Sequence, residues 1–253
     1  MIDLQARPGA AQPLSRVTAH ARFELAQLLR NGEQLLLTLV IPTVLLVLFA
    51  KVDVVDLGPG SRIAYLTPGI IALAIMSTAF TAQAIATGFE RRYGVLKRLG
   101  TTPLGRSGLV AGKTLAVLAI ELGQGVLLAT VAVALGWRPS GAAWGAALGV
   151  AVLGTAAFSG LALLLAGTLR AEATLAAANL VYLLLLLAGG IVVPVSKFPD
   201  ALHGMLDRLP STALADGLRA ALTHGTAAWP DIWTLAAWAA VAITGTVLTF
   251  RWD

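Results

Sequence analysis

The sequence contains no cysteine and only three histidines, at positions 20, 203 and 224. The missing cysteines exclude disulfide bonds, a thiol nucleophile and a metal site built on thiolates. Charged residues are also scarce, at 12% of the chain, whereas a soluble domain carries roughly 25%. A protein with so few charges has much of its surface facing something other than water.

The sequence contains long apolar runs without charged residues, and 57% of the residues are hydrophobic. A run of about 20 apolar residues is long enough to cross a bilayer as a helix. The runs predict an all-α integral membrane protein, a single transmembrane domain over residues 1–253 with spans between residues 34 and 250. The six predicted spans are residues 34–50, 65–88, 109–136, 142–169, 174–195 and 232–250.

The positions of the basic residues predict the orientation in the membrane. With the N-terminus inside, 12 of the 18 lysines and arginines lie on the inner side. Because loops rich in lysine and arginine stay in the cytoplasm, both termini are expected to be cytoplasmic. The net charge of +5 therefore reflects topology and contact with membrane lipids. It does not indicate a nucleic-acid partner.

Residues 1–33 form the predicted cytoplasmic N-terminus, which includes an amphipathic segment. Leu14 and Leu25 share one helical face, whereas His20 and Glu24 share the opposite face. This pattern predicts an interfacial helix that lies in the headgroup plane. A plain cytoplasmic extension of the first span is the alternative.

Residues 90–113, which we call the basic island, separate the second and third spans. The island holds six basic side chains and one acid, Glu90. Apolar residues recur at helical spacing from Tyr93 to Leu99, and Pro103 ends that pattern. The pattern predicts a short cytoplasmic helix within a loop at residues 90–107, placed to contact a cytoplasmic partner.

The segment between the fifth and sixth spans, residues 194–231, is divided by four prolines. Two amphipathic stretches lie between the prolines, at about residues 200–208 and 211–222. Neither stretch is long enough to cross the membrane. We predict two extracellular half-helices that re-enter the membrane, with an ordinary outer loop as the alternative.

Residues 107–114 nearly match the phosphate-binding loop G-x-x-x-x-G-K-[ST]. Ser107 stands where the first glycine is required. The segment also opens a membrane span, whereas a phosphate-binding loop follows a β-strand in a soluble sheet. We therefore expect this chain to bind no ATP and no other cofactor.

Polar residues inside the spans are few. No span contains histidine or aspartate, which excludes an intramembrane metal site and a pair of catalytic aspartates. Glu121 is the acid deepest in a span, Gln124 lies one turn further on, and Gln83 lies in the second span. These three residues are candidates for a substrate path, with a structural hydrogen bond between spans as the alternative for Glu121. An enzyme acting within the membrane would need a second catalytic group beside Glu121, and the sequence offers none. We therefore do not expect this chain to be an enzyme.

The basic island resembles the cytoplasmic loop of permease subunits of the type 2 ATP-binding-cassette (ABC) family, which exports drugs, lipids and polysaccharides. In that family an acid and a basic residue precede a glycine, a leucine-containing helix and a Thr-Pro stop, and a Gly-Lys pair opens the third span. The matching residues are Glu90, Arg91, Gly94, Leu96, Leu99, Thr102, Pro103, Gly112 and Lys113. Lys97 departs from the pattern, since the family often has an acid soon after the leucine.

A second match lies before the last span and resembles the family's extracellular segment. The resemblance implies that this segment gates the outer mouth of a transport pathway. The matching residues are Gly190, Pro194, Phe198, Pro199, Leu202, Pro210, Asp216, Leu218 and Arg219. Of these, we expect Pro194, Phe198, Pro199, Pro210 and Arg219 to form the gate.

The resemblance implies a permease subunit of an ATP-driven exporter in the bacterial plasma membrane, acting on a drug-like, lipophilic or lipid-linked substrate. Two separate ATPase subunits would hold ATP and Mg²⁺, and two permease chains, identical or related, would pair. The residues implied in coupling to the ATPase are Glu90, Arg91, Tyr93, Gly94, Leu96, Leu99, Thr102 and Pro103. A permease for polysaccharides or lipid-linked glycans, and a stand-alone secondary transporter, are the alternatives.

Overall fold

The computed structural model describes residues 9, 11–52, 61–139, 141–191 and 194–252. Within those ranges the chain forms helices and turns and no β-strand. A π-helical turn, Ser77–Ala82, joins α3 to α4, and a 3-10 turn, Val195–Lys197, precedes α9. The helices are α1 (Pro13–Arg30), α2 (Gly32–Lys51), α3 (Arg62–Met76), α4 (Gln83–Arg92), α5 (Val95–Gly100), α6 (Gly105–Ala134), α7 (Trp144–Thr168), α8 (Ala171–Ala188), α9 (Asp200–Leu206), α10 (Pro210–Thr223) and α11 (Trp229–Thr249).

Six helical segments in the described part of the chain are long and apolar enough to cross a membrane. They are α2, the continuous helix Arg62–Arg92, α6, α7, α8 and α11. The predicted all-α membrane fold with six spans is confirmed. The fifth span is shorter than predicted, because α8 ends at Ala188 and Gly190 turns the chain with a φ of 65°. Residues 192 and 193, in the predicted fifth span, lie outside the described residues.

The second span is the centre of the bundle. In its most apolar window 72% of the residues are buried, against 17% in α2 and in α8. Helices α2, α6, α7, α8 and α10 all pack against it. Of these, α2 and α8 are the least buried and lie at the periphery. Several leucine side chains on α2 and α8 face outward, where they can contact lipid or a partner chain.

Both amphipathic stretches of the segment 194–231 are helical, as α9 and α10. The predicted apolar stripe of α10 is buried, since Leu214 and Leu218 are at most 2% exposed. The helix packs against α3, α7 and α11. The alternative of an ordinary outer loop is therefore wrong for α10, which is part of the helical core.

Helix α1 packs its polar face against α6. His20 and Glu24, on the polar face of the predicted amphipathic helix, are the buried residues of α1. Leu14 and Leu29 are 73% and 55% exposed. The polar face can be buried because Lys113 on α6 offers Glu24 an ionic partner.

Candidate functional site

Lys113 lies at the centre of a buried charge cluster, at the end of the bundle that carries α5. Its Nζ is 2.9 Å from Oε2 of Glu24 and 2.8 Å from Oε2 of Glu90. The other carboxylate oxygen of Glu24 lies 3.4 Å from Nε2 of His20. Since these side chains come from α1, α4 and α6, the cluster joins three helices.

The charge balance of the cluster explains why it can be buried. A buried lysine is costly unless anionic partners surround it, and Lys113 has two. Burial and the nearby Lys113 charge lower the pKa of His20 to about 4, against a weaker opposing effect of Glu90. His20 is therefore neutral at pH 7.

Gly112, beside Lys113, allows α1 to approach α6 closely. A Cβ atom at this position would lie 2.5 Å from Cδ2 of His20, far inside van der Waals contact. The Gly-Lys pair thus has two complementary roles. The glycine lets the helices touch, and the lysine holds them together through Glu24.

Helix α5 is held by a small apolar cluster. Leu96 is completely buried against Leu109 and Phe250. Leu99 and Trp252 pack around the same three residues. Leu96, which the resemblance implies in coupling, is covered here by the C-terminal residues after α11. Leu99 is half-buried.

The exposed surface of the island lies on the other side of α5. Tyr93 is 70% exposed, and Val95, Lys97 and Arg98 are also exposed. Gly94 begins the helix with a φ of 74°, a conformation that glycine adopts readily. Val95, Lys97 and Arg98 were not among the predicted coupling residues. Their positions beside Leu96 and Leu99 in the sequence nevertheless place them on the opposite face of the helix.

Thr102 and Pro103 follow α5 and are exposed. The guanidinium of Arg16, on α1, donates a hydrogen bond to the carbonyl of Pro103. The stop predicted at Pro103 is present, since α5 ends at Gly100 and α6 begins at Gly105. The residues after α5 therefore contact α1 directly.

Two arginines at the end of α4 bind the turn between α7 and α8. Arg91 donates from Nη1 to the carbonyls of Ala166 and Leu169, at 3.2 and 3.1 Å. Arg92 forms an ion pair with Glu172 at the start of α8. Arginine at a helix C-terminus also complements the helix dipole. Arg91 therefore binds the turn between α7 and α8, whereas Glu90, one residue earlier, binds Lys113 on α6.

All three candidates for a substrate path form hydrogen bonds between spans. Gln83 accepts a hydrogen bond of 2.8 Å from Ser159 on α7. Gln124 donates to the carbonyl of Thr38 on α2. Pro42 lacks the N–H that would normally bond to this carbonyl, so Gln124 satisfies a group that the proline leaves free.

Glu121 differs from both glutamines. One carboxylate oxygen accepts a hydrogen bond from Thr155 on α7, and the other, Oε1, is buried without a hydrogen-bond partner among the described residues. Glu121 and Gln124 line a cavity of about 570 Å³ between α3, α6 and α7. Gln83 is not among the residues that line it.

Arg219 organises the opposite end of the bundle. It donates to the carbonyls of Gly190 and Ile191, both at 2.7 Å, and forms an ion pair with Asp216. Its guanidinium lies 4.1 Å from the ring centroid of Tyr65. The end of the fifth span, the second span and α10 are therefore joined at one side chain.

The other gate candidates lie apart from these contacts. Pro210 is buried at the first position of α10. Pro194, Phe198 and Pro199 flank the 3-10 turn before α9, where they are partly or fully exposed. The structure places Arg219 and Pro210 on α10 and the remaining three in the preceding segment.

A comparison with known protein families matches residues 16–223 to the family described as ABC-2 type transporter. A comparison with curated proteins finds no match. The matched range includes most of α1, the basic island and α10, so it contains both segments on which the resemblance rests. With six apolar helices and a match over most of its length, the chain is a multi-pass membrane protein that belongs to the ABC-2 type transporter family.

Proposed function

We propose that this chain is the permease subunit of an ATP-driven exporter, and that the surface of α5 receives the movement of an ATPase subunit. Two permease chains pair in the bacterial plasma membrane, with their termini in the cytoplasm. Each docks one ATPase subunit, which holds ATP and Mg²⁺. The substrate is lipophilic or lipid-linked and leaves the cytoplasm or the inner leaflet.

The observation that carries the proposal is the connection of the basic island to three helices through Lys113. Glu90 and Lys113 are the first and last residues of the island, and their ion pair closes it into a loop. Glu24 adds α1 to the same unit. A push on α5 is therefore passed to α1, to the second span and to the third span together.

The chemistry of the exposed surface suits a protein partner. Tyr93 offers an aromatic ring, and Lys97 and Arg98 add two positive charges beside it. Aromatic residues and arginine are enriched where proteins bind each other. We expect an ATPase groove with acidic residues at its rim.

Co-purification with a co-expressed ABC ATPase subunit tests the proposal. The wild-type chain is expected to co-purify with the ATPase and to stimulate ATP hydrolysis. The triple variant Tyr93→Ala, Lys97→Glu, Arg98→Glu is expected to lose most of this association, because it removes the ring and reverses both charges.

Arg208→Glu is the matched control, since Arg208 is exposed near α9 at the other end of the bundle. Its association is expected to equal that of the wild type. Unchanged association of the triple variant would exclude α5 as the docking surface. Ion-gradient-driven flux by this chain alone in liposomes would instead support a secondary transporter.

A further inference from the structure

We propose that the cavity between α3, α6 and α7 binds a lipophilic cation, with Glu121 as the anion that pairs with it. As a substrate site, this cavity rests on the proposed function and deepens it by naming the substrate class. The binding step itself involves this chain alone.

The first argument is the size and lining of the cavity. Its volume of about 570 Å³ lies in the range of roughly 300–1,000 Å³ that small-molecule sites occupy. Its lining is almost entirely apolar, with residues such as Ile71, Leu118 and Ala151. Leu122 and Val126 also line the cavity and are 58% and 68% exposed. The cavity therefore opens sideways, toward the lipid.

The second argument is the unused hydrogen-bonding capacity of Glu121. Its residue exposure is 8%, and Oε1 has no partner among the described residues. Gln124, the neighbouring polar residue, already bonds to Thr38 and Thr78. A buried acid without a cationic partner is costly in a bilayer and points to a ligand or an ion path.

The third argument is charge complementarity. No lysine, arginine or histidine is present among the described residues that line the cavity. A cationic ligand would therefore meet the Glu121 carboxyl group with no competing cation among these lining residues. Trp137 and Trp144 form an edge-to-face pair with ring centroids 6.3 Å apart in the same lining. Their rings suit an apolar, aromatic body that carries a positive charge.

These features define the ligand as an apolar molecule with one positive charge. The charge is placed beside Glu121, and the apolar body fills the space between Leu118 and the tryptophan pair. A neutral molecule of the same shape would fill the same space without the ionic contact.

The test measures binding of radiolabelled tetraphenylphosphonium to the purified chain in lipid nanodiscs, without an ATPase. Uncharged triphenylphosphine oxide serves as the competitor of similar shape. We expect saturable binding of the cation, little competition by the neutral compound, and affinity reduced by about tenfold or more in Glu121→Gln. Glu121→Asp, which keeps the charge, is expected to restore part of the affinity.

A second pair of variants leaves Glu121 unchanged and places a phenyl ring either inside or outside the cavity. Gly125 lines the cavity and Gly123 does not, and a Cβ at either position meets nothing within 4 Å. Both glycines lie on α6, two residues apart. Gly125→Phe is expected to abolish saturable binding, whereas Gly123→Phe is expected to bind as the wild type does.

Wild-type affinity in both Glu121→Gln and Gly125→Phe would overturn the proposal and leave Glu121 only its hydrogen bond to Thr155. Should Glu121→Gln fail to fold, the glycine pair decides alone. Equal competition by the neutral compound would overturn the role of the charge. The co-purification experiment with the α5 variant tests the permease function, and the nanodisc experiment tests the cation site. Failure of one proposal can therefore be distinguished from failure of the other.

Discussion

Glu90 and Lys113, the first and last residues of the basic island, form an ion pair with 2.8 Å between Oε2 and Nζ. The 22 residues between them contain α5 and the start of α6. The same Nζ reaches Glu24 on α1. The island is therefore a closed unit anchored at its base, and four predictions follow from its contacts.

Lys113→Met is expected to destabilise the chain by about 3–5 kcal/mol, because it leaves Glu24 and Glu90 without their buried cation. Thermal unfolding in detergent measures the loss. Lys97→Met, at an exposed position of α5, is the control and should unfold like the wild type. Equal stability of the two variants would contradict a structural role of the cluster.

Gly112→Ala is expected to displace α1, because the added Cβ would lie 2.5 Å from the ring of His20. Overpacking of this kind costs about 1–3 kcal/mol. Gly123→Ala is the matched control on the same helix, where the Cβ meets nothing within 4 Å. Faster proteolysis within α1 in Gly112→Ala but not in Gly123→Ala would show the displacement. Identical digestion of the two variants would argue against close packing.

Leu96→Ala and Tyr93→Ala should separate the attachment of α5 from its docking surface. Leu96 is buried against Leu109 and Phe250, so its truncation is expected to cost about 2–5 kcal/mol. Tyr93 is 70% exposed, so its truncation should leave the unfolding temperature nearly unchanged and weaken ATPase association. A Tyr93→Ala chain that unfolds as early as Leu96→Ala would show that the ring is structural.

His20 is expected to make the chain less stable in acid. Its pKa is about 4 in the folded chain, below the ordinary 6.5, because burial and Lys113 disfavour the imidazolium. The unfolded chain then binds a proton that the folded chain excludes. The contribution of His20 is therefore complete above pH 6.5 and is lost as the pH falls toward 4.

The measurement compares unfolding of the wild type with that of His20→Gln as the pH is lowered through this window. Glu24, Glu90 and Lys113 face His20 and are present in both chains. We expect the wild type to lose more stability than His20→Gln. His224→Gln, at an exposed histidine, should follow the wild type. Parallel curves for the wild type and His20→Gln would exclude His20 as the source of the acid sensitivity.

Six spans, a break at Pro103 and two helices between the last spans are all predictable from the sequence. These features depend on the length of apolar runs and on proline and glycine, which act within a few residues. Residues 211–222 were predicted as a helix and form most of α10 for this reason.

The contacts between polar residues depend on how the helices pack and are not predictable from the sequence. Glu24 and Lys113 are 89 residues apart, and no local pattern connects them. The polar face of α1 is buried because Lys113 supplies an opposite charge, and Leu96 is buried because Phe250 covers it. Glu121 keeps an oxygen without a partner because the helices around it present one donor, Thr155. Such pairings follow from how the helices pack, which periodicity along the chain does not specify.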